Sequence, residues 1–128
     1  MEQYTYLEIK EDIASIIQET MDSGSSLEGS IGRAEREYWL VDQDIDLAKP
    51  TPFPLKLIAA ISICAIKSEN SIDLERSLLT IDRLLELITQ EEIRSLKTES
   101  VPLLINDAST VLADSAMKKL VVLFEPVT

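Results

Sequence analysis

The feature that most limits this chain is the run Leu55-Lys56-Leu57-Ile58-Ala59-Ala60-Ile61-Ser62-Ile63-Cys64-Ala65-Ile66, which follows the passage Pro50-Thr51-Pro52-Phe53-Pro54. A proline at 54 fits the first position of a helix, where its missing N–H leaves no bond unmade. From Leu55 to about Lys67 the run reads as a helix apolar almost all round, the kind that sits at the centre of a bundle. Twelve helical residues rise about 18 Å, too short for a hydrocarbon core of about 30 Å. The run therefore belongs inside a helical domain and not in a membrane. The prolines stop any helix before them. They read as a tight corner within one domain, with a hinge between two subdomains as the alternative.

Periodicity elsewhere supplies the cover. Tyr6, Ile9, Ile13, Ile16 and Ile17, followed by Met21, place one apolar face on a helix over 6–21, with Glu8, Glu11, Asp12 and Glu19 around the rest. Asp22-Ser23-Gly24-Ser25-Ser26 has the composition of a loop and reads as the least ordered stretch. Ile31, Ala34, Tyr38 and Val41 predict a second helix from about Ser30 to Val41. After the prolines and the central run, Asn70 or Ser71 is expected to cap a helix striped by Leu74, Leu78, Ile81, Leu85 and Ile88. Leu79, Leu84 and Leu87 widen that stripe, so neighbours are expected on two sides. Thr89-Gln90-Glu91-Glu92 has the pattern of a capping box and opens a short helix over 90–97 that buries Ile93 and Leu96. Ser100 is expected to cap a further helix bearing Leu104, Ile105, Ala108, Val111 and Leu112 on one face. Leu120-Val121-Val122-Leu123-Phe124 either closes that helix or forms a short strand, which its β-branched pair favours. The expected architecture is one all-α domain over 1–128, a small bundle or a stack of antiparallel helix pairs. It divides into an acidic part (1–48), the proline corner (50–54) and an apolar helical part (55–128).

Composition removes most chemistry. The 128 residues contain no histidine, which excludes Ser-His-Asp and Cys-His nucleophile pairs and most catalytic zinc sites. Three glycines make no phosphate-cradling loop. The single cysteine, Cys64, lies among Ile63, Ala65 and Ile66 and reads as a small buried hydrophobe of a reduced protein. Asp42, Asp44 and Asp46 begin like a calcium loop, but Leu47 stands where that loop needs glycine and Phe53 where it needs glutamate. Glu91 and Glu92 belong to a first helical turn, where acids are favoured without catalysis, and Lys118-Lys119 reads as the basic end of a helix. No catalytic residue, metal or cofactor is expected. The N-terminus, Met1-Glu2-Gln3-Tyr4-Thr5-Tyr6, lacks the basic start and apolar stretch of a signal peptide. A soluble cytoplasmic protein is expected.

Charge is unevenly placed. The net charge is −11, and residues 1–48 hold twelve acids against three bases, a net of −9; the remainder holds eleven acids against nine bases, a net of −2. Four of the six aromatics, Tyr4, Tyr6, Tyr38 and Trp39, share the acidic part. Carboxylates repel phosphates, so direct nucleic-acid binding is not expected, whereas a basic protein partner suits this surface. Tyrosine and tryptophan anchor interfaces, and acids around them steer the approach of a partner. On a helix the rings of Tyr38 and Trp39 point about 100° apart, so one can face inward while the other is left for the surface. The candidate partner-binding residues are Glu35, Glu37, Tyr38, Trp39, Asp42, Asp44 and Asp46.

In size, charge and helical make-up the whole chain resembles bacterial immunity proteins, with the contact-dependent growth-inhibition and colicin types the nearest comparison. The resemblance implies tight one-to-one binding to a basic nuclease toxin domain, with acids of this chain meeting its Lys and Arg residues. A monomer or weak self-association is expected. The alternative reading is a structural or adaptor module that self-associates through the wide apolar stripes at 74–88 and 103–112.

Overall fold

The computed structural model describes residues 5–38, 52–70 and 74–124. Their secondary structure is helical: α1 (Tyr6–Asp22), α2 (Leu27–Glu37), α3 (Phe53–Asn70), α4 (Glu75–Leu87), α5 (Gln90–Ile93), α6 (Ser100–Ser109) and α7 (Asp114–Phe124). The central run forms α3. It starts at Phe53, with the Pro52 carbonyl accepting from the Lys56 N–H at 3.0 Å, so Pro54 sits among the first N–H positions that have no partner inside the helix. Leu57, Ile58, Ala59, Ala60, Ile61, Ile63 and Cys64 are all buried. The cover comes from α1, α2, α4, α5 and α6, each packed directly on α3, while α7 packs on α4, α5 and α6. One apolar cluster runs through the whole arrangement, from Ile13 and Ile31 through Ile61 and Ile81 to Leu104 and Leu120. The architecture is the all-α bundle that the periodicity implies.

Local chemistry explains three of the helix ends. The stretch after α1 is a tight, fully bonded turn and not the loose loop its composition suggests. Gly24 takes φ +103°, its N–H donates to the Met21 carbonyl at 2.9 Å, and the Ser25 N–H donates to the Thr20 carbonyl at 3.2 Å. This is the glycine-ended helix stop in which a left-handed residue turns two N–H groups back onto the last helical turn. Ser26 then caps α2 by accepting from the Gly29 N–H at 3.1 Å, which starts that helix three residues before the expected Ser30. The capping box at Thr89 and Glu92 forms as its sequence pattern requires, with the Thr89 hydroxyl accepting from the Glu92 N–H and the Glu92 carboxylate accepting from the Thr89 N–H, both at 3.1 Å.

Several expectations need correction. Asn70 is the last residue of α3, and α4 opens at Glu75 with Leu74 before it and no side-chain cap. Ser71 lies outside the described residues. The helix expected over 90–97 ends at Ile93, although Ile93 and Leu96 are buried as expected. Ser100 is the first residue of α6, and its hydroxyl accepts from the Tyr6 N–H at 2.9 Å. It therefore satisfies the start of α1 and not its own helix, a pairing across 94 residues of chain that no local pattern announces. Residues 120–124 are neither a strand nor the end of α6: they complete the separate helix α7, whose apolar face buries Leu120 and Phe124. Lys119 is not at a helix end either, since it lies inside α7 and reaches Asp82 and Glu86 of α4 at 3.3 and 3.7 Å. Finally, Leu79 and Leu87 do not widen the buried stripe of α4; they are 61% and 58% exposed.

Two substitutions test the turn and the remote cap. A Cβ at Gly24 meets nothing within 4 Å, so the cost of Gly24→Ala is conformational, about 1–2 kcal/mol for a left-handed backbone. Ser100→Ala leaves the buried Tyr6 N–H without its acceptor and costs about 1 kcal/mol. Urea midpoints measure both.

Candidate protein-partner site

The described residues of the acidic part, 5–38, fold as an antiparallel helix pair. The turn at Ser23–Ser26 brings α2 back along α1, and the Tyr38 hydroxyl at the far end of α2 donates to the Asp12 carboxylate at 2.5 Å. The Tyr38 ring is buried. Burial, the hydrogen bond to Asp12 and the negative charge of Asp12 and Glu37 all push its hydroxyl above the usual tyrosine range, so it stays a neutral donor that fixes Asp12 in place.

Between the two helices runs a groove of about 410 Å³, lined by Asp12, Ile16, Glu19 and Thr20 of α1, Ser23 and Ser25 of the turn, and Arg33 and Glu37 of α2. Three carboxylates and one guanidinium give it a negative balance. Beyond the groove the same two helices expose Glu8, Glu11, Asp22 and Glu28. Altogether seven acids are exposed on α1 and α2 (Glu8, Glu11, Asp12, Glu19, Asp22, Glu28 and Glu37), against the exposed bases Arg33 and Arg36. The third base, Lys10, is partly buried and paired with Asp107 of α6 at 2.9 Å. The exposed surface of this helix pair thus carries a net negative charge.

The residues singled out in the sequence part company here. Glu37 stands exposed at the groove. Tyr38 packs inward and acts through Asp12. Glu35 points into the protein: its carboxylate lies 3.5 Å from the ammonium of Lys67, which also donates to the Ser77 hydroxyl at 2.7 Å. All three are buried, and they tie α2, α3 and α4 together. The Lys67 side chain is only 8% exposed, so its ammonium depends largely on these protein partners for solvation. Trp39, Asp42, Asp44 and Asp46 lie outside the described residues. Asp12, Glu19 and Arg33 complete the groove, and only the folding back of α2 along α1 brings them to Glu37. A lone lysine ending an apolar run was the available sign of the Lys67 pair, but nothing in the sequence names Glu35 as its partner.

A second polar cluster fastens α1 to α6. The Tyr6 hydroxyl and the Lys10 ammonium both donate to the Asp107 carboxylate. Partial burial pushes the Asp107 carboxyl up, but the hydrogen bonds from Tyr6 and Lys10 and the Lys10 charge outweigh it and hold the group below its usual range. Burial and the same carboxylate push the Tyr6 hydroxyl well up, so it too remains a donor. Burial raises the Cys64 thiol to about 12, against the pull of the Lys67 charge, which leaves it an inert core group. Among the described residues no three His, Cys, Asp or Glu side chains gather as a metal site, and no helix is long and apolar enough to cross a membrane. No family model, curated protein or solved structure matches the chain.

Glu35→Ala strands the buried Lys67 charge and is expected to cost about 3–5 kcal/mol in urea unfolding, whereas Glu35→Leu with Lys67→Met recovers most of that loss. Asp107 sets an acid limb. Because its folded carboxyl is held low, its contribution is full above the unfolded value of about 3.9 and is lost as pH falls through the folded value. The stability difference between the native chain and Asp107→Asn is therefore largest near neutrality and closes below about pH 4, which urea midpoints across the pH range would show.

Proposed function

We propose that this chain is a cytoplasmic binding protein that neutralises a basic partner, acting as an immunity protein that occludes a cognate nuclease toxin one to one. The observation that carries the reading is the exposed surface of α1 and α2, where seven acids stand against two arginines. A nuclease domain must be basic to hold phosphates, and that same surface is what an acidic inhibitor covers. The action is steric and electrostatic, with no reaction catalysed and no cofactor. Acids speed the encounter, and aromatic residues such as Trp39 bury at the centre of the contact. Ile16 and Thr20 in the groove offer a less polar floor on which a basic side chain can lay its stem while its charge meets Asp12, Glu19 and Glu37.

A gene for a large exported protein with a basic C-terminal domain directly upstream would supply the partner to test. With that domain, the association rate is expected to fall steeply as salt rises. Reversal of Asp42, Asp44 and Asp46 to Lys, or of Glu11, Glu19 and Glu37 to Lys, should slow association roughly tenfold or more while dissociation changes less. Stopped-flow mixing reads both. Rates unaffected by salt and by both triple reversals would falsify the acidic-face mechanism.

A further inference from the structure

The outer face of α4 carries a pattern that the basic-partner reading does not use. Arg76, Leu79, Arg83 and Glu86 recur at steps of three, four and three residues, which sets them in one line along the helix, with Leu87 beside it. All five are exposed, and Leu79 and Leu87, at 61% and 58%, are the two most exposed large apolar residues described. The other side of α4 is fully occupied: Ile81, Leu84 and Leu85 are buried, and the helix packs on α3 and α7. Among the described residues neither Arg76 nor Arg83 makes an ion pair, although acids outnumber bases in the chain by 23 to 12. Arg33, Arg36 and Arg94 are likewise without an ion pair among the described residues, so what sets Arg76 and Arg83 apart is their place on either side of an exposed leucine.

We infer that this line is the contact by which two copies of the chain associate. Laid antiparallel about a two-fold axis level with Ile81, α4 sets Arg76 of each copy opposite Glu86 of the other, and Leu79 opposite the stem of Arg83. A two-fold contact must be complementary to itself, and this order of charges is: the Arg76–Glu86 pair forms twice, once on each side of the axis, and Arg83 faces an uncharged leucine. The parallel arrangement sets Arg76 on Arg76 and Arg83 on Arg83, so the pattern selects one orientation. Leu79 then covers the aliphatic part of Arg83, and Leu87 flanks it. Lys119 already reaches Glu86 from α7 at 3.7 Å, and exposed Val122, one turn further along α7, extends the apolar rim. One helix pair of this length buries less than the roughly 1,200 Å² of a stable standard interface, so the association is weak and reversible. Its helices are distinct from the acidic pair α1 and α2, and the inference stands whether or not the partner reading holds.

Sedimentation equilibrium of the intact chain over about 10 μM to 1 mM is expected to show a monomer–dimer equilibrium. Arg76→Glu and Glu86→Arg each oppose like charges across the axis and should weaken the dimer roughly tenfold or more, and the two together should restore it, because the swapped charges again face their opposites. Leu79→Glu, at a position the monomer leaves in solvent, should abolish the dimer with the circular dichroism melt unchanged. That variant keeps the test open if Glu86→Arg disturbs Lys119. A monomer throughout the range overturns the inference, as does a dimer indifferent to Leu79→Glu or a charge swap that fails to restore association.

Discussion

A helix without a polar face cannot stand at a surface, and α3 is such a helix. Its middle, from Leu57 to Cys64, is buried without a break, so helices must approach it from all sides. That requirement places α1, α2, α4, α5 and α6 around it. The buried polar side chains described on α3, Ser62 and Lys67, are answered where they arise. The Ser62 hydroxyl donates back to the Ile58 carbonyl at 2.9 Å, within the helix. Lys67 is answered by Glu35 from one side and Ser77 from the other. A buried ammonium tolerates few arrangements, so this pair fixes how α2 and α4 sit on α3 more narrowly than apolar packing does; apolar contacts alone accept many small slips.

The outer helices, by contrast, owe the core only one stripe each. On α1 that stripe is Tyr6, Ile13 and Ile17, and on α2 it is Ile31 and Ala34. Their exposed positions are free of packing demands, and there all the acids of the two helices except Glu35 gather. Their mutual repulsion opposes the compact state. The fold answers it with fixed points at both ends of α1: Ser100 and Asp107 hold its start, and the glycine turn holds its end. An α1 that frayed at either end would not present Asp12 and Glu19 in one groove with Glu37.

Legibility in the sequence followed the range of the interaction. Patterns complete within a few residues came through: the stripe of α1, the apolar character of α3, the capping box at Thr89, the burial of Cys64. Those that need the fold did not. Ser100 has the look of a local cap but serves a helix start 94 residues away. Leu79 and Leu87 look like core because leucine spacing cannot say on how many sides a helix has neighbours. The Val121-Val122 pair suggested a strand, yet Leu120 and Phe124 fall on one helical face, and burying that face outweighs the weak preference of two residues. In the candidate site, Glu37 was legible as an exposed acid, whereas Glu35, two residues earlier, points the opposite way into a pair with Lys67. Charge alone does not separate a surface acid from a buried one; the period of the helix does, and Glu35 follows Ala34 on its inward side.

Placement of charge is a stronger constraint than its amount. A net charge of −11 keeps a small protein soluble wherever the acids are put, and scattering them among bases would also spare the fold its repulsion. This chain does neither. It concentrates a net of −9 within residues 1–48, spends Glu35 in the core, and turns seven others outward on one helix pair. It also leaves Arg76 and Arg83 on α4, away from those acids. Solubility accounts for the total and core packing for Glu35 and Asp107, but neither accounts for the separation. A surface held negative against its own repulsion is what the proposed basic partner would meet, and the order of charges on α4 is what the proposed two-fold contact would use.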